Sequence, residues 1–509
     1  MFENSECRAP VPKPAPADES SASNGAIRPG LLLAAVAVVQ FMVSLDLSVV
    51  NVGLPRIAVA LGFSPLGLTW VVHAYALTFG GLLLLGGKLA DRFGRRRILL
   101  VGLGVFFVAS LAGGFAQEPG HLVAARAVQG VGAAALAPAA LALLSAAFPS
   151  GRARVRAFGV WAATNAAGGA LGVLIGGVLT EYAGWQWVMF VSAPMSAIAF
   201  ALAWRGIAHD VPVAPTGRPD VLGAVLATAG MTLLVFGIVR TDRHGWSSAR
   251  TLITLAAALV LLAAFLIVER TTARDPLIRL GLFANRSVAG ANGYNLLLGA
   301  AMASSFFFVS LYLQGVLGHG PALTGLQFLP FALGVAVGSA IAVKLGYRVA
   351  PRVLLICGGL LTAAGFALFS GMDVHGSYLS DVLGPEIVSS VGFGLCLGPV
   401  VSTATAGVDP AEAGAASALL NSSRQVGASF GLAVLSTVAE RRTGDAASLE
   451  AVSNGYGLGM ALGAVLLVGA VVIAVVVLRR PAGAGARAPE RRDPPAADRD
   501  DRAVPAATT

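Results

Sequence analysis

The sequence contains very little charge for its length. Only 12% of its 509 residues are Asp, Glu, Lys or Arg, whereas soluble domains contain about 25%. Lysine is nearly absent, because Lys13, Lys88 and Lys344 are the only lysines among 35 basic residues. This shortage excludes an ordinary soluble domain and is typical of a protein embedded in a membrane.

Other absences exclude whole classes of function. Cys7, Cys357 and Cys396 are too scattered for a disulfide framework or a metal site, and neither a metal nor a cofactor is expected. A phosphate-binding loop before Lys88 would need Gly at position 82 and Ser or Thr at position 89, and both residues are Leu. No soluble segment is long enough to bind nucleotide. An ATP-driven pump is therefore not supported, and no enzymatic activity is expected.

Long apolar runs are what the sequence has in abundance. Hydrophobic residues make up 56% of the chain, and runs of about 20 residues can cross the hydrocarbon core of a bilayer as helices. The runs lack the alternation of β-barrel strands. An all-α integral membrane protein with fourteen transmembrane helices is predicted. The predicted spans are 30–52, 67–86, 98–116, 122–147, 158–180, 188–206, 221–240, 252–268, 288–313, 323–344, 352–370, 380–402, 416–438 and 457–478.

The loop charges predict the orientation in the membrane. Basic residues cluster at 88–97, 152–156 and 344–352, always after an even-numbered span, although the loops at Arg240 and Arg441 break the trend. Positively charged loops stay on the cytoplasmic side. Both termini of this multi-pass protein are therefore expected in the cytoplasm, and the Arg-rich, Lys-poor composition favours a bacterial inner membrane. The net charge of +9 reflects this topology, so no nucleic-acid partner is expected.

A faint internal repeat predicts two related halves. Lys88-Leu-Ala-Asp-Arg-Phe-Gly-Arg-Arg96 follows the second span, and Lys344-Leu-Gly-Tyr-Arg-Val-Ala-Pro-Arg352 follows the tenth. Repeats of this kind are common in secondary transporters, which bind substrates between the halves. The predicted parts are a disordered cytoplasmic tail (1–28), an N-terminal six-helix bundle (29–207), two linker transmembrane helices (208–285), a C-terminal six-helix bundle (286–480) and a second disordered cytoplasmic tail (481–509).

Five motifs give the chain a family resemblance. They are Leu45-Asp-Leu-Ser-Val-Val-Asn-Val-Gly-Leu-Pro55, Gly87-Lys-Leu-Ala-Asp-Arg-Phe-Gly-Arg-Arg-Arg97, Arg126-Ala-Val-Gln-Gly130, Leu311-Tyr-Leu-Gln314 and Asn421-Ser-Ser-Arg-Gln-Val-Gly427. In these the chain resembles the major facilitator superfamily, and its fourteen-helix drug:proton antiporters in particular. The resemblance implies a monomer with the major facilitator fold, two six-helix bundles plus two central linker helices, that exports small amphipathic drugs or metabolites in exchange for protons. Val173 departs from the family, which usually has proline at this point of its fifth-span motif.

Two charged residues inside predicted spans are candidates for proton coupling. Asp46 lies midway along the first span, where a carboxylate is costly and usually functional. Desolvation favours the neutral form of a carboxyl group, which makes it a candidate for proton uptake and release. Arg126 lies on the fourth span and shares a helical face with Gln129 and Gly130. The resemblance implies that Arg126 and Asp46 form the proton relay; a purely structural ion pair is the alternative.

The loop after the second span is a candidate cytoplasmic gate. Gly94 permits a tight turn, and Asp91 can accept charge-assisted hydrogen bonds. The resemblance implies that this loop locks the cytoplasmic side, while a purely topological role is the alternative. The candidate gate residues are Gly87, Asp91, Arg92, Gly94 and Arg95.

Polar residues inside other spans are candidates for a substrate cavity. The thirteenth span contains an amide, a cation and a second amide, at Asn421, Arg424 and Gln425. These side chains are candidates to line the cavity, and the alternative is that they organise the second half. The full set of cavity candidates is Asn51, His73, Tyr75, Gln129, Asn421, Arg424 and Gln425. Glu386, near the end of a span, is expected to be a solvated rim residue. Gly168, Gly172 and Gly176 form a small-residue stripe for a hinge or for close helix packing.

Two alternative functions stay open at this stage. An uptake symporter for a nutrient would use the same acid, and Val173 in place of proline is the feature that favours it. A membrane sensor or scaffold without transport would need a folded signalling domain, and neither tail has the composition of one. The partners expected are a small-molecule substrate, protons and the lipid bilayer.

Overall fold

The computed structural model describes residues 29–148, 151–207, 220–241, 245–271, 276–277, 280–409, 412–444 and 448–478. The predicted tails at 1–28 and 481–509 lie outside these ranges. Fourteen long helices account for most of the described residues, which contain no β-strand, so the predicted all-α class is confirmed. The helices are α1 (Pro29–Leu61), α2 (Trp70–Phe93), α3 (Arg95–Gly114), α4 (Pro119–Ala147), α5 (Gly151–Tyr182), α6 (Ser192–Gly206), α7 (Val221–Val239), α8 (Ala249–Thr271), α9 (Arg286–Leu311), α10 (Leu329–Leu345), α11 (Pro351–Phe369), α12 (Leu383–Ala404), α13 (Ala413–Thr443) and α14 (Leu449–Val476).

Short helical segments extend several of these helices. All six lie directly beside a long helix or one residue away from it, so that α2, α6, α9, α10 and α12 each have a short extension. The segments are Pro65–Leu68, Gln186–Phe190, Leu280–Ala284, Tyr312–Val316, Pro321–Gln327 and Tyr378–Val382.

Thirteen helical stretches are long and apolar enough to cross a membrane, and α13 is the exception among the fourteen. Its 31 residues would extend about 46 Å at 1.5 Å per residue, which exceeds the roughly 30 Å of a hydrocarbon core. Its middle is polar, however, because residues 421–425 read Asn-Ser-Ser-Arg-Gln. Helix α13 packs against α9, α14 and α2, so protein neighbours rather than lipid alone surround these polar side chains.

The helices pack in two sets of six and one pair. In the first set, α1 packs on α5 and α6, α2 on α4, and α3 on α4 and α6. In the second set, α9 packs on α13 and α14, and α12 on α10 and α11. Helices α7 and α8 pack on each other, and α7 also contacts α2 and α13. The pair therefore lies beside the line where the two sets meet.

The two sets make contact close to one end of the molecule. We call the end with the loop between α2 and α3 the basic end, and the opposite end the far end. Near the far end, Gly177 of α5 lies against the carbonyl of Pro321, the first residue of the short helix before α10. The Glu181 carboxylate accepts a hydrogen bond from the Ala322 amide at 2.7 Å. A helix N-terminus that faces a carboxylate is a favourable electrostatic contact.

Helices α1 and α9 add a second contact in the half toward the far end. The Ser310 hydroxyl donates to the Asn51 carbonyl at 2.8 Å, and the Gln314 amide donates to the Val52 carbonyl at 2.9 Å. Closer to the middle, the Ser422 hydroxyl of α13 donates to the Gly80 carbonyl of α2 at 2.6 Å. These bonds join the two sets between the middle of the molecule and the far end.

The internal repeat has a structural counterpart at the basic end. Arg96 donates to the carbonyl of Trp204 at 3.1 Å, near the last turn of α6. Arg352, at the matching repeat position, donates to the carbonyls of Ala474 at 3.0 Å and Val475 at 2.5 Å, in the last turn of α14. Carbonyls at a helix C-terminus lack intrahelical partners. The repeated arginine thus caps the last helix of each set.

The glycine stripe of α5 lies directly on α1. A Cβ atom added at Gly168, Gly172 or Gly176 would collide with backbone carbonyl oxygens of α1 between Phe41 and Val49. This stretch of α1 includes Asp46. Close packing of the two backbones, which was one of the two interpretations of the stripe, is therefore observed, and it fixes how α1 presents the aspartate.

Candidate functional site

Asp46 and Arg126 form an ion pair in the interior of the first helix set. The Arg126 Nη1 atom lies 2.7 Å from Asp46 Oδ2. The Asp46 side chain has no exposed surface and that of Arg126 is 2% exposed. Helix α1 supplies the acid and α4 supplies the base, so this pair links two helices that are far apart in the sequence.

Neutral polar groups surround the second carboxylate oxygen. Gln129 Nε2 lies 3.4 Å from Asp46 Oδ1 and 2.9 Å from Ser110 Oγ of α3. The Ser192 hydroxyl, at the start of α6, lies 3.5 Å from the same carboxylate oxygen. Gln129 also accepts a hydrogen bond from Arg126 Nη1 at 2.9 Å. The acid therefore sits in a network contributed by α1, α3, α4 and α6.

The guanidinium of Arg126 has further partners on α2. Its Nε atom donates to the Val71 carbonyl at 3.1 Å, and its Cζ atom lies 4.4 Å from the centre of the Tyr75 ring. Cation–π contacts strengthen when they are desolvated, and Tyr75 is fully buried. Gly130 allows the approach of α2, because an added Cβ atom would meet the Tyr75 carbonyl and the Thr78 hydroxyl. Helices α2 and α4 therefore lie in close contact at Gly130.

The burial of this network defines its chemistry. A buried ion pair is stable only when geometry and additional hydrogen bonds offset the desolvation of both charges. Protonation of Asp46 would remove the counter-charge of Arg126 and leave the guanidinium with Gln129, the Val71 carbonyl and the Tyr75 ring. Because neither charge reaches solvent, a proton can enter or leave only if the helices around the pair separate.

Three of the seven cavity candidates belong to the interior rather than to an open surface. Gln129, Tyr75 and His73 have no exposed surface in this conformation. Gln129 and Tyr75 contact Arg126, whereas His73 packs edge-on against Trp70 with ring centroids 5.6 Å apart. Neither ring nitrogen of His73 has a hydrogen-bond partner among the described residues.

The remaining cavity candidates lie near the boundary between the helix sets. Asn51 is partly exposed and donates to the Leu47 carbonyl at 3.0 Å. Asn421 is exposed, Arg424 is partly exposed and Gln425 is 6% exposed. The Cβ atom of Gln425 lies against Gly80 of α2. The three residues of α13 lie close to the polar contact between α2 and α13, whereas Asn51 lies at the contact between α1 and α9.

The gate candidates occupy the turn between α2 and α3. Gly94 has a φ of +100°, a conformation that residues with a Cβ atom rarely adopt, so the predicted tight turn is confirmed. Asp91 and Arg95 form an ion pair at 3.0 Å across this turn. Arg92 stacks on Phe93, with Cζ 5.5 Å from the ring centre. Gly87 lies against Pro138 of α4.

A polar cluster between α1 and α5 was missed by the sequence reasoning. Asn165 Oδ1 accepts hydrogen bonds from Gln40 at 2.7 Å and from Ser44 at 2.6 Å, and Asn165 is exposed. The cluster lies in the half of both helices that is nearer the basic end. An amide at position 165 inside a predicted span was the available signal, but a span rich in Ala and Gly gives no clue to its partner.

Glu386 is a correction to the sequence-based prediction. It was expected at a solvated rim, but its side chain is only 2% exposed. The Tyr378 hydroxyl, which lies 3.0 Å from the Gln327 carbonyl, is also 3.3 Å from Glu386 Oε2. The turn at Tyr378–Val382, just before α12, covers the glutamate. Hydropathy alone could not predict that a preceding segment folds over this side chain.

Comparisons with known proteins agree with this fold. The family model described as Major Facilitator Superfamily matches residues 36–432. The chain is 45% identical over 411 residues to the cephamycin export protein CmcT of Amycolatopsis lactamdurans, covering 80% of this chain and 84% of that protein. It is 41% identical over 458 residues to the puromycin resistance protein pur8 of Streptomyces alboniger, covering 88% of this chain and 90% of that one.

Solved transporters share the fold at low sequence identity. A peptide transporter POT bound to sulfate superposes with a TM-score of 0.64 at 15% identity, covering 88% of this chain and 94% of that chain. The nucleoside transporter NupG gives a TM-score of 0.63 at 13% identity, covering 89% and 100%. With a matching family model over most of its length and relatives above 40% identity, this chain belongs to the major facilitator superfamily.

Proposed function

We propose that this protein is a secondary active transporter that exports small amphipathic drugs or metabolites in exchange for protons. Relatives at 45% and 41% identity are a cephamycin export protein and a puromycin resistance protein, which supports export of antibiotic-like molecules. The observation that carries the coupling mechanism is the sealed Asp46–Arg126 pair. It offers one carboxylate for one proton and a network that must open for the exchange.

The coupling step follows from electrostatics. In one conformation Asp46 is ionised and Arg126 neutralises it at 2.7 Å. When the helices separate and a proton binds Asp46, the attraction between α1 and α4 at this point is lost. The free energy of each conformation therefore depends on the protonation state, which is the requirement for a proton gradient to drive a conformational cycle.

The contacts between the helix sets support an alternating-access cycle. The two sets, 29–207 and 286–480, act in this proposal as two bundles that rock about a central cavity, with 208–285 as the linker pair. If the basic end is cytoplasmic, as the loop charges favour, the contacts at Gly177 and Glu181 close the periplasmic side. Substrate then enters from the cytoplasm past the exposed Asn165 and Asn421.

The turn between α2 and α3 is proposed as the cytoplasmic gate. The ion pair between Asp91 and Arg95 is exposed, so its strength is screened and small. A weak contact of this kind can break and re-form during transport without a large barrier. The transporter is proposed to act as a monomer, with both termini in the cytoplasm of a bacterial inner membrane.

The experiment that tests this function uses purified protein in liposomes. Vesicles are loaded with a fluorescent amphipathic dye, and a pH gradient of either sign is then imposed. An exporter that uses protons moves dye against its own gradient only when protons flow in the opposite direction. Movement of dye in the same direction as protons would support the uptake symporter, and indifference to the pH gradient would contradict both.

A further inference from the structure

Arg424 is a cation without a counter-charge in the middle of a helix bundle. It is residue 12 of the 31 in α13, and its side chain forms no hydrogen bond or ion pair with any residue that the structure describes. The flanking acids are Glu412, just before α13, and Glu440, near its end; they lie about 18 and 24 Å away along the helix at 1.5 Å per residue. The other arginine of the transmembrane core, Arg126, has four partners.

The surroundings of Arg424 are polar but neutral. Gly299 of α9 allows the Arg424 backbone and Cγ atom to pass close to α9. Asn295 of α9 donates its side-chain amide to the Leu420 carbonyl at 2.7 Å. The Nε2 atom of the neighbouring Gln425 is buried and has no partner among the described residues. Two donors without described partners, the Arg424 guanidinium and the Gln425 amide, therefore occupy adjacent positions of α13.

An unpaired guanidinium within a membrane protein is costly. Charges in such places are normally paired or marked for ligand binding, and planar guanidinium groups match carboxylates through two parallel hydrogen bonds. Arg424 keeps part of its residue surface exposed, whereas Arg126 is 2% exposed. An anionic ligand would supply the acceptors that both Arg424 and the Gln425 amide lack.

We propose that Arg424 binds the carboxylate of an exported amphipathic acid, with the Gln425 amide and the exposed Asn421 as neutral hydrogen-bonding neighbours. This inference rests on the proposed export function and adds the substrate class to it. Asp46 would then take the proton in the first helix set, and Arg424 would take the anionic cargo in the second. The two charges are separate sites, so substrate selection and proton coupling can be altered independently.

The test compares two probes that differ only in charge. The purified full chain in lipid nanodiscs is titrated with pyrenebutyrate and with the neutral pyrenebutanol. The wild-type protein should bind the carboxylate about tenfold more tightly, as a charge-assisted hydrogen bond implies. Arg424→Gln should lose this preference and keep its affinity for the alcohol, and Arg424→Lys should retain part of it. Arg352→Gln, which removes an arginine bound to carbonyls of α14, is the matched control and should keep the preference.

Three results would overturn the proposal. The first is a wild-type protein that binds both probes equally or binds neither. The second is an Arg424→Gln variant that keeps the preference for the carboxylate. The third is a folded Arg424→Gln variant, with wild-type size-exclusion behaviour and thermal midpoint, that loses both probes alike, because the arginine would then only organise the second half. Binding is measured without a gradient, and Asp46→Asn should keep the preference, so failure of proton coupling is a separate outcome.

Discussion

Two arginines in the core of this transporter have opposite environments. Arg126 is 2% exposed and contacts the Asp46 carboxylate, Gln129, the Val71 carbonyl and the Tyr75 ring. Arg424 has no hydrogen-bonded partner among the described residues and keeps part of its surface exposed. One cation is neutralised by the protein itself, whereas the other has no counter-charge among the residues that the structure describes.

This difference indicates which arginine serves proton coupling and which serves substrate selection. A sealed pair responds to protons, because the one group that can change its charge is Asp46. A partly exposed, unpaired cation responds to the substrate, because an anionic substrate supplies the missing counter-charge. A transporter that separates these two tasks can accept varied substrates while keeping one proton-coupling site.

The largest expected effect comes from neutralising Asp46. Asp46→Asn removes the only carboxyl group in contact with Arg126 among the described residues, so no proton can be exchanged there. Efflux driven by a pH gradient should be abolished, whereas exchange of labelled for unlabelled substrate should persist. Glu386→Gln is the matched control, since it neutralises a buried acid that is bonded to Tyr378 rather than to a cation. Efflux driven by a pH gradient in the Asp46→Asn protein would show that Asp46 is not the proton-coupling site.

A large loss of stability is expected when the base of the pair is removed. Arg126→Met leaves Asp46 buried without its cation, and an uncompensated buried charge costs about 3–5 kcal/mol. The thermal midpoint in detergent should fall strongly at neutral pH. Addition of Asp46→Asn in the same chain should restore part of the loss, because the unpaired charge is then absent. Purely additive losses would argue against a direct interaction between the two side chains.

A moderate loss is expected where α5 supports α1. Gly172→Ala places a Cβ atom against the Ser48 hydroxyl and the Leu45 carbonyl, and overpacking of this kind costs about 1–3 kcal/mol. Gly159→Ala is the matched control on the same helix, since no other atom lies within 4 Å of a Cβ added there. The thermal midpoint should fall for Gly172→Ala alone. Equal midpoints would mean that α1 and α5 are not held as closely as described.

The smallest effect on stability is expected at the second arginine. Arg424→Met removes a cation that has no partner in the described part of the chain, so no paired charge is left behind. The thermal midpoint in detergent should be unchanged or should rise, in contrast to Arg126→Met. A fall as large as that of Arg126→Met would show that Arg424 has a structural partner and would remove the basis of the comparison.

The sequence predicted the pair in the first helix set better than its surroundings. Asp46 and Arg126 were recognisable because charges inside apolar runs are rare, and Gln129 followed from its spacing of three residues on a helix. Ser110 and Ser192 were not recognisable, because serine is common in such helices and their contact with the network depends on how α3 and α6 pack. The sequence therefore reveals rare charged residues inside apolar spans, whereas the packing of the helices determines which neutral side chains contact them.

The same limit explains the differences in the second helix set. Asn421, Arg424 and Gln425 were predicted as polar groups in a span, but their sequence could not predict that Arg424 would lack a partner. Glu386 was placed at a rim because it lies near the end of a span, and the segment that buries it is not apolar enough to be recognised. Long, apolar elements were predictable, and contacts made by single side chains between them were not.

The most direct test of the central claim is a measurement of proton movement that accompanies export. Vesicles that contain a trapped pH dye and purified protein are given a substrate gradient with no initial pH difference. For the wild-type protein we predict that substrate flow in one direction drives protons in the other, and that Asp46→Asn carries substrate without any pH change. Proton movement of wild-type size in the Asp46→Asn protein would contradict the account.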